Sequence, residues 1–232
     1  MEKQVANASK RAERRGDGTA RGARRDGGGA APAPVRFSAA TIAGVASLLR
    51  GGAVAVLPTD TIYGLHCASS SAAAVRRIRD IKGRAAVKGF ILLCADAAMA
   101  ETVVARWPGR ARRTLGDAWP APLTAILPAS PRLPADLRPE GVVAVRVPDH
   151  ADLRAVIRSV GEPIVSTSVN RAGDRPRNDL KSIRRDFPAV DLYVARGRGG
   201  KRRSSTVVDW RALRPVVVRR GGFPFDEPGA VP

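Results

Sequence analysis

Two cysteines and two histidines in 232 residues leave little material for a metal cage or a disulfide framework. Cys67 and Cys94 form no CxxC pair, and a structural zinc site takes four N, S or carboxylate ligands. A resident metal is therefore not expected, and the reduced cytoplasm is the expected compartment. Aromatic residues make up only 4% of the chain, which argues against a stacking platform for single-stranded RNA. No apolar run approaches the length of a membrane span, so no membrane association is expected. The common nucleotide and hydrolase signatures are missing too. There is no GxGxxG, and Gly197-Arg198-Gly199-Gly200-Lys201-Arg202 fails as a P-loop, because Lys201 lacks a preceding GxxxxG and a following Ser or Thr. There is no GxSxG elbow. Neither His66 nor His150 sits in a recognisable triad setting, so a covalent nucleophile is not indicated.

What the chain has in excess is positive charge: 40 Lys and Arg against 21 Asp and Glu, a formal net charge of +19. Such a balance points to polyanionic partners such as nucleotides, pyrophosphate or RNA. A codon bias toward Arg, leaving a solvated basic surface, accounts for the same count. With 44% hydrophobic residues the chain is long enough for one substantial domain. Met1 to Pro34 is different material, rich in Arg, Gly and Ala and without apolar periodicity. It reads as a disordered basic tail, with an RNA-binding arm as the alternative. It lacks the apolar segment of a signal peptide, and Glu2, Glu13, Asp17 and Asp26 argue against an organellar transit peptide. Residues 35–222 are then the folded domain, and 223–232 a C-terminal tail.

Within that domain the pattern alternates. Ser38 can cap a helix with Ile42, Val45 and Leu49 on one face, stopped by Gly51-Gly52. Ala53 to Leu57 reads as a buried strand ended by Pro58, which leaves Thr59 to Leu65 on a strand-exit loop. Ser71 caps the next helix, with Val75, Ile78 and Ile81 inward. Further strands are predicted at Phe90 to Cys94, Leu123 to Leu127, Val142 to Val147, Ile164 to Thr167, Leu192 to Val194, Thr206 to Asp209 and Val216 to Arg219. Helices are predicted at Ala97 to Val104, Gly109 to Ala118, Ala151 to Val160 with Asp149 as its cap, and Asp179 to Asp186. Strands alternating with helices define an α/β class with a largely covered sheet.

Several residues in this frame can carry chemistry. Lys82 and Arg84 end the second helix, where past Gly83 the chain can turn both cations, exposed, onto one anion. Helix-end cations satisfying the dipole are the plain alternative, and Lys88 in the same loop tilts the balance toward an anion site. Ser166-Thr167-Ser168-Val169-Asn170 leaves a strand as a polar loop, either an ordinary turn or a ligand contact at the strand's carboxyl end. Thr59 and Thr61 alternate around Asp60, to receive an amino-acid ligand or to satisfy loop carbonyls. Arg146 interrupts the apolar strand Val142-Val143-Ala144-Val145-Arg146-Val147. A cation there needs a ligand carboxylate or a distant acid, since none is close in sequence. His66, lining its loop, and His150, in a helix's first turn, read as structural, and the cysteines as small buried hydrophobes.

Taken in order, Pro58-Thr59-Asp60-Thr61-Ile62-Tyr63-Gly64-Leu65, Lys82-Gly83-Arg84 and Ser168-Val169-Asn170 resemble the PTxTxYGL, KxR and SxN signatures of the YrdC/Sua5 family of threonylcarbamoyl-AMP synthases. Trp119-Pro120-Ala121-Pro122-Leu123-Thr124 is similar to its WPGPLT, with Ala121 for Gly. Val143 to Arg146 is similar to VAVR, Ser205 to Asp209 to STIVD, and Arg219-Arg220-Gly221 to the closing RPG, with Arg220 for Pro. The similarity runs from about Ala39 to Gly221 and looks like the short bacterial branch, without a second C-terminal domain. It implies a single YrdC-like domain, a twisted mixed sheet with helices and an open basic concave face. By that match Thr61, Arg146, Ser168 and Ser205 would hold threonine. Arg84, Lys88, Asn170, Asn178 and Arg219 would hold ATP, with the backbone of Val142 near the nucleotide. Lys82 and Arg84 would be catalytic, Lys82 by neutralising phosphate. Some longer members carry a His near the position of Leu93, so no contact from that imidazole is expected here.

The resemblance implies that ATP with Mg2+, L-threonine and bicarbonate or CO2 give threonylcarbamoyl-AMP and pyrophosphate, for N6-threonylcarbamoylation of the adenosine beside certain tRNA anticodons. No metal site on the protein is implied, since Mg2+ would come with the ATP phosphates. A chain with abundant Arg, few His and inert Cys suits a step that needs positioning and charge neutralisation. tRNA and a downstream transferase complex are candidate partners. Two alternatives stand beside it: a non-catalytic double-stranded RNA- or tRNA-binding or ribosome-associated protein of this type, and a carbamoyl-adenylating paralogue. The presence of both KxR and SxN argues against a decayed paralogue.

Overall fold

The computed structural model describes residues 31–83, 89–196 and 203–225. The chain enters through Val35, which bridges Val194 in parallel, and Arg184 donates to the carbonyls of Ala31 and Pro32. Helix α1 spans Ala39–Arg50. Its start is a reciprocal cap: the Ser38 hydroxyl accepts from Thr41 N–H, and the Thr41 hydroxyl accepts from Ser38 N–H. Strand β1, Ala55–Leu57, and strand β2, Gly64–Ala68, then form an antiparallel pair around the Pro58–Tyr63 loop.

Strand β2 is the main departure from the sequence pattern. The loop expected to run through Leu65 stops at Tyr63, because Gly64 and Leu65 already pair with Leu57 and Val56. Gly-Leu-His-Cys-Ala lacks β-branched residues and alternation, so nothing local marks it as a strand. It becomes one because β1 and the strand Ile164–Ser168 flank it on both sides and bury all five residues. His66 therefore sits inside a strand and does not line the loop.

The remaining elements follow the predicted order. They are α2 (Ala72–Lys82), β3 (Ile91–Leu93), α3 (Ala97–Glu101), α4 (Gly109–Ala118), β4 (Leu123–Pro128), β5 (Val142–Arg146), α5 (Ala151–Val160), β6 (Ile164–Ser168), α6 (Leu180–Asp186), β7 (Leu192–Tyr193), β8 (Thr206–Asp209) and β9 (Val216–Arg219). Helix α3 is shorter than predicted: Val104 leaves it to bridge Ala129. The cap of α5 is His150, whose Nδ1 accepts from Leu153 N–H, and not Asp149. Past the predicted end of the domain, Phe225 is buried edge-on against Trp210, and the Phe223 carbonyl accepts from the Thr206 hydroxyl. Phe223 and Phe225 thus contact the domain, while Pro224 between them is exposed. No helix among the described residues is long and apolar enough to cross a membrane.

Among the described residues the strands form one nine-stranded mixed sheet, ordered β7-β1-β2-β6-β3-β5-β4-β8-β9. The pairs β1–β7, β3–β5 and β4–β8 are parallel and the others antiparallel. Alternate residues serve two cores. Val56, Leu65, Leu92, Val145 and Val165 join residues of α2, α4 and α6 on one face. Ala55, Leu57, Ala68, Leu93 and Ile164 join α1 and α5 on the other. On this second face Ile91, Ser166, Ser168 and Arg146 continue the same alternation beyond the two helices, and there the surface hollows into a cavity.

Candidate active site

The cavity holds about 430 Å³, within the range of small-molecule sites. Its floor is strand: Gly64, Ile91, Arg146, Ser166 and Ser168. Its walls are the Thr59–Tyr63 loop, the end of α2 with Lys82, the loop after Asn170, and Ser205 with Arg219 at the far strands. A side chain at Gly64 would not fit, because a Cβ there would lie 2.6 Å from His66 Nε2 and 3.2 Å from the Thr167 carbonyl. Burial pushes the His66 imidazole down to about 4, so a neutral ring packs beside Gly64 on this face of the sheet at ordinary pH.

Arg146 is buried, with its side chain only 5% exposed, and it finds the distant acid that a cation in an apolar strand requires. Nη2 pairs with Asp60 Oδ1, and Nη1 donates to Thr61 Oγ1 at 3.1 Å. Burial lowers its pKa, Asp60 raises it, and Arg219 lowers it again. The two threonines form a directed chain. Thr59 Oγ1 spends its proton on the Ile62 carbonyl at 2.8 Å, so the 2.8 Å bond between the hydroxyls must be donated by Thr61. With its proton committed inside the loop, Thr61 presents only an acceptor lone pair to a ligand. Behind this loop Arg196 lies 4.8 Å over the Tyr63 ring, donates from Nη2 to the Thr61 carbonyl, and gives its backbone N–H to the Tyr63 hydroxyl.

Lys82 does not project into water as expected of a helix-end cation. It is 7% exposed, and its ammonium donates to Ser168 O at 2.8 Å, Asn170 O at 3.1 Å and Asn170 Oδ1 at 2.9 Å. An ammonium has three protons, so all are used. Asn170 is equally committed: its Nδ2 donates to the carbonyls of Arg171 and Asp174, while Oδ1 also accepts from Ser168 Oγ at 2.5 Å. The KxR lysine and the SxN run are therefore one hydrogen-bonded unit. Burial lowers Lys82 to about 8. Across the cavity Arg219 donates to the Ser205 carbonyl and hydroxyl, and that hydroxyl shares a 2.8 Å bond with buried Thr124. Burial also lowers Arg219.

Of the candidate residues, Thr61, Lys82, Arg146, Ser168, Asn170, Ser205 and Arg219 line this one cavity. Asn178 does not line it, but its Oδ1 accepts from Tyr63 N–H at 3.2 Å, steadying the wall. Val142 opens β5 outside the lining. Arg84 and Lys88 lie outside the described residues. Sequence reasoning missed Asp60, although it stands between two singled-out threonines; its pairing with a strand 86 positions away is invisible locally. Thr124, Tyr63 and Arg196 were missed for the same reason.

A mixed sheet whose polar cavity gathers, among the described residues, three cations and several hydroxyls defines an α/β protein suited to a small polar, anionic ligand at its strand ends. The chain belongs to the Sua5/YciO/YrdC family, whose model, described as "Telomere recombination", matches residues 47–221. The threonylcarbamoyl-AMP synthase of Thiobacillus denitrificans is 39% identical over 167 residues, covering 72% of this chain and 89% of that protein. The crystal structure of P. abyssi Sua5 complexed with L-threonine superposes with a TM-score of 0.77 at 30% identity, over 82% of this chain and 57% of that one. E. coli YciO gives 0.73 at 30% identity, over 81% and 92%. The chain thus spans little more than half the length of the P. abyssi protein.

Proposed function

We propose that the chain is a threonylcarbamoyl-AMP synthase, a nucleotidyltransferase that joins L-threonine, bicarbonate or dissolved CO2 and ATP. The observation that carries this is one cavity containing both a buried guanidinium suited to a carboxylate and a lysine-clamped polar loop suited to phosphates. Relatives bearing that enzyme name, and a related structure holding L-threonine, support it.

In this scheme the threonine carboxylate meets Arg146, and the acceptor lone pair of Thr61 takes a hydrogen bond from the substrate amine or hydroxyl. Ser205, held by Thr124 and Arg219, and Ser168 complete the amino-acid contacts. The free amine adds to the carbon of CO2, giving a carbamate and releasing a proton. A carbamate oxygen attacks the α-phosphorus of MgATP; the bond to the bridging oxygen breaks, and pyrophosphate leaves. Arg84, Lys88 and Arg219, with Asn178 behind the wall, are the proposed ATP contacts, and the Val142 backbone is assigned to the nucleotide's neighbourhood. Lys82 acts on the phosphates as a point charge while its protons hold the Ser168–Asn170 loop. Asn170 shapes that loop, which is a more indirect role than the resemblance implies. No protein nucleophile is needed, because the chemistry is positioning plus neutralisation of charge that grows on the leaving group.

The product would serve tRNA N6-threonylcarbamoylation in the cytoplasm through a downstream transferase, with residues 35–222 as the proposed catalytic region. The test is incubation of the full chain with MgATP, L-threonine and ¹³C-bicarbonate, followed by mass spectrometry. Label in an acyl adenylate is expected. ATP binding without a labelled adenylate would overturn the proposal and favour a non-catalytic or altered-acceptor paralogue.

A further inference from the structure

Asp60 takes no part in the cavity lining, yet it sits between Thr59 and Thr61, which do line it. Its side chain is 4% exposed and lies against Arg146, which is exposed to the cavity on another side. A guanidinium is a rigid plane with five N–H donors. Here one terminal nitrogen is fixed by Asp60 and the other by Thr61 Oγ1, so two contacts from one short loop set both the position and the tilt of the plane. Nε is buried out of reach of the cavity, so the second N–H of each terminal nitrogen is what remains for a ligand. Arg219 opposes this arrangement, since its charge acts against that of Arg146 across the same cavity. Without an anion behind it, a long flexible Arg would be free to swing away from the second cation.

We propose that Asp60 is a positioning residue, whose carboxylate locks the Arg146 guanidinium in the orientation that receives the carboxylate of the amino-acid substrate. This rests on the threonylcarbamoyl-AMP synthase reading. Asp60 then matters for one substrate and not the other. An ion pair that served only to compensate a buried charge would affect folding, or both substrates together.

The test uses the full chain with Asp60→Asn and Asp60→Glu, measuring pyrophosphate release while threonine and ATP are varied separately. Asn keeps the shape but replaces a charge-assisted bond with a neutral one of roughly half the strength, so the KM for threonine should rise about tenfold. Glu keeps the charge but shifts the plane, so a smaller rise, about three- to fivefold, is expected. The KM for ATP should stay within about twofold in both. Should the Asn variant not fold, the same split in the Glu variant decides. An unchanged threonine KM in the folded variants, or equal rises for both substrates, would overturn the proposal. Threonine-dependent release by the unaltered chain is the control, and its absence would overturn the underlying function along with this inference.

Discussion

At the scale of single residues, the site is governed by how few polar atoms are left uncommitted. Lys82 is the clearest case. Burial pushes its ammonium down to about 8, and that charge faces a loop proposed to carry phosphates. The free protein's kcat/KM for ATP should therefore fall above about pH 8, by up to about tenfold per unit, as the ammonium deprotonates. Lys82→Arg, slower overall because a fork replaces a point charge, should lose that limb. Stability runs the other way. The folded value lies below the ordinary lysine value of 10.5, so between about 8 and 10.5 the unfolded chain binds more protons and the fold gains stability as pH rises. Below 8 that gain is absent. Denaturant titrations at several pH values should show the slope, and Lys82→Met should remove it. The residue types of the site were legible in the sequence, because Lys82, Arg146 and the hydroxyls stand in recognisable runs. Their commitments were not. Which of three acceptors receives each Lys82 proton, and which acid answers Arg146, depends on segments 86 to 88 positions away.

At the scale of elements, the helices and all the described strands but β2 were legible. Ser38 and Ser71 announce α1 and α2 through local caps, and Gly161, with φ of 86°, ends α5 in the left-handed turn it favours. Strand β2 could not be read, since its identity comes from two neighbours that sequence does not display. The glycines of these elements differ sharply in what they permit. Gly221 brings the end of β9 against the start of β8: a Cβ there would lie 2.3 Å from Ser204 O and 2.3 Å from Ser205 C, both backbone. Gly221→Ala should cost about 1–3 kcal/mol, or more if the strands cannot part, and should slow turnover by displacing Ser205. Gly44, inside α1, has nothing within 4 Å of its would-be Cβ. Gly44→Ala should instead stabilise by about 0.5–1 kcal/mol. Thermal melts of the two variants should move in opposite directions; a neutral Gly221→Ala would contradict the close approach on which the placement of Ser205 and Arg219 depends.

At the scale of the whole molecule, the sheet brings the ends of distant strands to one hollow, and the basic composition supplies its cations. Residues 1–30 hold only 8 of the 40 Lys and Arg and 4 of the 21 Asp and Glu, so most of the net charge belongs to the rest of the chain. With no apolar periodicity in those residues, a chain beginning at Ala31 should keep its melting temperature and its turnover within about twofold. Starting at Val35 would additionally remove the Ala31 and Pro32 carbonyls that Arg184 holds. A truncation that unfolds would show that the N-terminal segment belongs to the domain. The central claim is that this cavity couples an amino acid, a one-carbon acid and ATP in a single reaction. The most direct measurement is pyrophosphate release by the full chain across a panel of amino acids, each with and without bicarbonate. Release that requires both L-threonine and bicarbonate is the predicted result. Release indifferent to either, or ATP turnover that yields no pyrophosphate, would contradict it.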